Sequence, residues 1–280
     1  MAAQLYRTPE GHQAIRSWST ARLDGWALPH ERRTVSSALG ETSLVTAGDG
    51  PATVLYLPGT NFNAASSLVL VEALAARLRV VVADLPGQPG LSAGRRPPDL
   101  LAYGAWIDEI VAGLDADRLL LAGHSLGAAA ALTADPAGVH GLLLLDPAGL
   151  IRLRVGLGTL GATLPWLVRP TPARSARLLA LMHARGRSPS PEHVEWMTLV
   201  ARHVRTSLAP SPMPPAVLDR WRDTPRAVLC GEQDCFLPVP PLAAAARAKL
   251  GVDLDVVAEA GHLAPEDQPQ RVADAISALG

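Results

Sequence analysis

Apolar positions near the start of the chain, Ile15, Trp18, Ala21, Leu23 and Trp26, fall at loosely helical spacing and stop before Pro29, which predicts a helix over Arg16–Trp26. Short extended pieces follow: Thr34–Ala38, then Ser43–Ala47 after the Leu39-Gly40 turn, then Ala52–Leu57, ended by Pro58-Gly59. Beyond them the period switches back and forth. Helices are predicted over Ala65–Arg77, Leu100–Ala116 and Leu126–Thr133, and strands over Leu78–Asp84, Arg118–Ala122 and Gly141–Asp146. Short, wholly apolar strands alternating with helices imply a parallel sheet covered on both faces.

The rhythm breaks between Asp146 and about Pro215. Helical segments near Ala173–Ala184 and over Pro191–Leu208, divided by prolines and glycines and without a strand-like run, predict an inserted helical cap. Alternation then resumes with strand Arg226–Cys230, helix Pro241–Leu250, strand Asp253–Val257 and helix Gln268–Leu279, whose Val272, Ile276 and Leu279 share one face. The expected division is an N-terminal helical extension over 1–33, an α/β core over 34–146 and 216–280, and a cap over 147–215.

Composition narrows the class. With 280 residues, 48% of them hydrophobic and 18% charged, the chain can bury one large core. The net charge is −1 and Lys249 is the only lysine among 25 basic residues, so no bulk basic excess points to nucleic acid. Met1–Pro9 holds no apolar stretch fit for a signal peptide. The longest nearly uncharged apolar run, Val155–Val168, is broken by glycines and Pro165 and falls short of the ~20 residues a bilayer span needs. A cytoplasmic protein without a membrane span is the expectation. Cys230 and Cys235 are too few for a disulfide framework or a zinc site, and both are expected to be reduced and buried.

The chemistry concentrates at Gly123-His124-Ser125-Leu126-Gly127, a G-x-S-x-G that follows an apolar strand and opens a small-residue helix. Such a turn puts a serine on a sharp bend, where side chains two residues to either side would clash with strand and helix. It also leaves the Leu126 amide at a helix start, aimed to hold a developing oxyanion. A serine hydroxyl needs a base, and the base needs an orienting carboxylate. Asp234, in Gly231-Glu232-Gln233-Asp234, and His262, in Gly261-His262-Leu263, follow Ser125 in the order Ser, Asp, His, and each lies past the carboxyl end of a predicted parallel strand.

With these motifs on the page, the chain resembles the α/β-hydrolase superfamily from Thr34 to Gly280. The resemblance rests on the elbow Gly123–Gly127, the G-x-x-D of Gly231–Asp234, and Gly261-His262. It implies a mostly parallel eight-stranded sheet with helices on both faces and a helical cap, with Ser125 as nucleophile, His262 as base and Asp234 as the acid. In the family the strand matching Ala52–Leu57 usually ends in His-Gly, and the following residue supplies a second oxyanion amide. Here Pro58-Gly59 stands in that place, so Thr60 takes the role, with Asn61 as second candidate. Asp84-Leu85-Pro86-Gly87 with Gly90 and Ser92 is similar to the family's loop after the fourth strand, for which a structural role is implied.

Other features compete with this reading. Gly156-Leu157-Gly158-Thr159-Leu160-Gly161 matches a dinucleotide fingerprint, but it begins well past the strand ending at Asp146 and no acidic residue lies near Leu181. Asp146 is the alternative acid, Glu232 is expected to be solvated, and the histidines show no paired metal spacing. Residues 149–215 hold nine arginines, Arg152, Arg154, Arg169, Arg174, Arg177, Arg185, Arg187, Arg202 and Arg205, against Glu192 and Glu195. They form either a solvated outer face or an attraction for an anionic substrate or carrier. Beside them Trp166, Leu178, Leu179, Leu181, Met182 and Trp196 suit an acyl pocket or simply dock the cap.

The expected function is hydrolysis of a carboxylic ester or lactone, with a thioester next, through an acyl-enzyme and without cofactor or metal. The same triad working on a C–C bond, or as a cofactor-free perhydrolase, is the alternative enzyme. A ligand receptor with slow turnover is the alternative from another class. Haloalkane or epoxide opening is disfavoured, because the family members that do it resemble this fold with Asp at the elbow.

Overall fold

Thr8 opens the first helix: its Oγ1 accepts the Gly11 amide at 3.1 Å, and Pro9 occupies the first helical position, where a missing N–H costs nothing. In the computed structural model, which describes residues 4–205 and 209–279, helix α1 therefore spans Pro9–Asp24 and starts well before the expected Arg16. Strands β1 (His30–Ser37), β2 (Gly40–Ala47) and β3 (Thr53–Leu57) follow. The sheet thus begins inside the segment expected to be a helical extension. The predicted helix over 65–77 is a 3-10 turn, Ala64–Ser66, opened by a capping box between Asn63 and Ser66 and followed by α2 (Leu68–Ala75).

Next come β4 (Arg79–Ala83), α3 (Ala102–Ala112), β5 (Leu119–His124), α4 (Leu126–Ala131) and β6 (Gly141–Leu145). Between β6 and the next strand lie α5 (Leu157–Val168), α6 (Pro172–Met182), α7 (Pro191–His203) and α8 (Pro215–Asp219). The apolar run at α5 and the short α8 were not expected as helices. The helix expected over Pro191–Leu208 stops at His203, and residues 206–208 lie outside the described residues. The chain closes with β7 (Arg226–Gly231), α9 (Val239–Leu250), β8 (Leu254–Val257), α10 (Ala264–Asp267) and α11 (Pro269–Ser277).

The eight strands form one sheet in the order β1-β2-β4-β3-β5-β6-β7-β8. β1 pairs with β2, and β2 with β4, antiparallel; every pair from β4 to β8 is parallel. Central strands β3, β5 and β6 are buried along their whole length, as their unbroken apolar runs require. On one face α3, α4 and α9 bury Trp106, Ile107, Leu242 and the alanines 128–131 against the sheet; on the other α2 and α11 bury Leu70, Leu74, Val272 and Ile276. Each such leucine or isoleucine contributes roughly 1.5–3 kcal/mol on leaving water. A third cluster joins α5, α6 and α7 to α1 through Trp166, Leu179, Trp196, Val200 and Ile15. Among the described residues no helix is long and apolar enough to cross a membrane.

Candidate active site

β5 runs directly into Ser125, whose backbone sits at φ 51°, ψ −110°. A non-glycine residue there carries strain on the order of 1–3 kcal/mol, which the surroundings must hold in place. They do so from both sides: the Ser125 amide donates to the Leu145 carbonyl at 2.9 Å, and the Ser125 carbonyl accepts the amides of Ala129 and Ala148. The glycines of the motif are there for close approach. A Cβ on Gly123 would lie 2.4 Å from the Gly127 carbonyl, and one on Gly127 2.0 Å from the Leu57 carbonyl.

His262 lies in the loop after β8 and Asp234 in the loop after β7. His262 Nδ1 is 2.8 Å from Asp234 Oδ2, and His262 Nε2 is 3.1 Å from Ser125 Oγ. Burial alone would raise the Asp234 pKa, but the nearby imidazole and hydrogen bonds from His262, Phe236 and Leu237 bring it below the ordinary carboxylate value. An ionised Asp234 can only accept. The Nδ1 proton is therefore donated to it, and Nε2 is left to accept from the serine hydroxyl.

Asp146, the alternative acid, also reaches this cluster: its carboxyl, that of Asp234 and a His262 ring nitrogen lie within 4.8 Å of one another. It plays a different part. Complete burial and then the Asp234 charge push its pKa well above the ordinary carboxylate value, while that of Asp234 lies below it. Asp146 Oδ1 accepts the Gly231 amide at 2.8 Å, while Oδ1 of Asp234 accepts the amides of Phe236 and Leu237. Oδ2 of Asp146 is buried and has no hydrogen-bond partner among the described residues.

The segment around His262 is held by further buried residues. His124 Nε2–H donates to the His262 carbonyl at 2.8 Å; burial first, then the His262 imidazole, lower its pKa to about 3, so it stays neutral. Asp267 Oδ2 accepts the amides of Gly261 and Ala184, and Oδ1 accepts His183 Nδ1–H at 2.7 Å. The Leu263 amide donates to Met182 at the end of α6. That approach is why Gly261 is a glycine: a Cβ would meet the Met182 carbonyl at 2.3 Å. The ring of Phe236 packs edge-on against His262, centroids 4.8 Å apart. His124 lies inside the elbow motif and could have been singled out there; Asp267 and His183 are far apart in sequence and carry no local signal.

Of the two candidate second amides after β3, Asn61 N–H donates to Gln88 Oε1 at 3.0 Å. Among the described residues the amides of Thr60 and Leu126 donate to no protein acceptor. The loop after β4 is structural, as expected: buried Asp84 accepts the amides of Ala64 and Leu91, and Ser92 Oγ accepts that of Ser43. Glu232 is exposed. Cys230 and Cys235 are unbonded to each other; Cys230 is buried, but Cys235 is only half-buried, against expectation.

Ser125 and His262 open into a cavity of about 240 Å³ whose walls are mainly apolar, among them Phe62, Leu153, Leu160, Trp166, Leu178 and Met182. Leu179 and Trp196 are buried behind this wall and Leu181 faces solvent. None of the nine arginines lines the cavity. The G-x-G-x-x-G match spans the start of α5, and a Cβ on any of its three glycines would meet open space, so no close backbone approach requires them.

A family model described as "Alpha/beta hydrolase family" matches residues 54–275. The chain belongs to that family. Among curated proteins it has no significant sequence match. This α/β hydrolase is similar in fold to a putative hydrolase of Bacillus subtilis at 16% identity and a TM-score of 0.83, over 97% of this chain and 99% of that one. Carboxylesterase CesB of Bacillus subtilis follows at 17% identity and 0.79, over 96% and 98%. The naproxen esterase of Bacillus subtilis aligns at 18% identity and 0.80, over 97% and 99%. Likeness at such identities speaks for the architecture; the chemistry of this hydrolase has to be argued from its own residues.

Proposed function

We propose that this α/β hydrolase cleaves carboxylic esters, lactones included, of largely apolar small molecules, with thioesters as the next class. The observation that carries the reading is the hydrogen-bonded chain Ser125–His262–Asp234 opening into an apolar cavity. Ser125 Oγ attacks the acyl carbon while His262 Nε2 takes its proton, and the oxyanion is held by the amides of Thr60 and Leu126. His262 returns the proton to the departing alcohol, leaving an acyl group on Ser125. Water, deprotonated by His262, then releases the carboxylic acid. Asp234 keeps the imidazole in the tautomer both halves need. In this reading residues 147–215 act as a cap, and the absence of arginine from the cavity wall favours a neutral acyl group.

A fluorophosphonate probe followed by peptide mass spectrometry tests the nucleophile: the label is expected on Ser125 and absent from Ser125→Ala. A panel of p-nitrophenyl esters of increasing acyl length tests the cavity, which should give a clear optimum. A flat profile near zero would replace ester hydrolysis with ligand binding at slow turnover.

A further inference from the structure

Helix α5 has an outer face that the proposed reaction leaves unused. Its inner side buries Thr159, Ala162 and Trp166. Its outer side carries Leu157, Leu160, Leu164 and Val168, at the i, i+3, i+7, i+11 spacing that keeps one side of a helix. All four are exposed, Leu157 by 90% and Val168 by 83%, and Val155 just before the helix is exposed as well. A lone exposed leucine needs no explanation, whereas a continuous row of apolar side chains marks a docking surface. The row is bracketed by cations: exposed Arg152 and Arg154 precede it, exposed Arg169 follows it, and exposed Arg177 lies on the neighbouring α6. No acidic residue occurs from 147 to 191.

We infer that the outer face of α5 docks this protein onto an anionic lipid surface. At roughly 18 Å the helix is too short to span a bilayer, so it lies in the interface plane, leucines towards the acyl region and arginines among the headgroups. Charge argues against a second copy as the occupant. A two-fold contact would set the same arginines face to face with no carboxylate from this stretch between them. Val155 and Leu160 border both this face and the cavity, so the mouth above Ser125 opens at the docking surface. An ester dissolved in the lipid would then reach Ser125 from that side, a corollary that rests on the ester-hydrolysis reading; the docking itself does not.

The test is co-sedimentation of the full chain with vesicles of phosphatidylcholine alone and of an equimolar mixture with phosphatidylglycerol, together with its mass by light scattering. Ser125→Ala run in parallel makes binding independent of turnover. Preferential binding to the mixed vesicles, weakened by added salt, is expected. Leu157→Ser with Leu164→Ser should lower the partition coefficient at least ~10-fold. Neither residue lines the cavity, so the double variant should keep its circular dichroism and hydrolyse a short soluble ester within about twofold of wild type. Absence of sedimentation, equal binding to both vesicle types, binding unchanged in the double variant, or a dimer that the double variant dissolves would each overturn the proposal.

Discussion

Two regions meet at the cavity, and they treat polar and apolar groups in opposite ways. On the sheet edge, Asp146, Asp234, His124 and His262 are withdrawn from water, and each is held by identified backbone or side-chain partners. Over residues 149–215, leucines stand in solvent on α5 while nine arginines gather with only two acidic residues, Glu192 and Glu195, for company. Burying a charge is tolerable only when it is paired or neutralised, so the sheet edge has little freedom to rearrange. An exposed apolar helix carries no such constraint. Under the two proposals, the difference puts fixed geometry at the proton transfer and exposed apolar surface at the docking face.

The largest effect should fall on the rigid side. Ser125→Ala is expected to lower kcat by roughly 10⁶, on the analogy of subtilisin, with an unchanged thermal melt. A variant retaining more than about a hundredth of the rate would place the nucleophile elsewhere. Next in size, Asp234→Asn should cost roughly 10⁴ in kcat by favouring the wrong tautomer, whereas Asp146→Asn, replacing a carboxyl that holds the Gly231 amide and not the imidazole, should stay within about tenfold. Circular dichroism must show both variants folded. The reverse ranking would make Asp146 the orienting acid.

The seam between the regions is tested through stability. Asp267 ties α6 to the Gly261-His262 segment, and Asp267→Asn should lower unfolding stability by about 1–3 kcal/mol at neutral pH. Burial alone would raise the Asp267 pKa, but hydrogen bonds from His183, Gly261 and Ala184 hold it below the ordinary value. Its contribution is therefore complete above the unfolded-state pKa near ~3.9 and vanishes as pH falls through the folded-state value. Urea midpoints of variant and wild type should converge in acid. A gap independent of pH would mean the carboxylate charge is irrelevant.

The smallest effect belongs to Glu266, whose carboxyl lies 3.9 Å from His193 on α7. Burial, then the Asp267 charge, raise the Glu266 pKa to about 8, while burial lowers that of His193, so the contact joins two neutral groups. A raised folded-state pKa contributes stability that is complete below the unfolded value near ~4.3 and lost as pH rises through the folded one. Glu266→Gln should thus match wild type in acid and flatten its decline up to about pH 8. Parallel stability curves would show that Glu266 is ionised throughout.

The order of the eight strands and the three residues at the centre of the site were legible because each rests on local information. An apolar run of strand length, a glycine pair around a serine, and a Gly-His or a G-x-x-D just past a strand all act through near neighbours in the chain. Residues that work through distant contacts left no such trace. The Asp267–His183 bridge joins positions 84 residues apart, and only packing brings them together. Asp146 and Asp234 look alike as aspartates past strand ends; which of them meets the imidazole was decided by the fold, and their pKa values are pushed in opposite directions as a result. The α5 run read as apolar wall or docking seam, since hydrophobic periodicity tells which residues share a face but not which face meets water. Tertiary packing turned one side of α5 inward with Trp166 and left Leu157 and Val168 outside, because a helix beside a narrow cavity can bury only one of its sides.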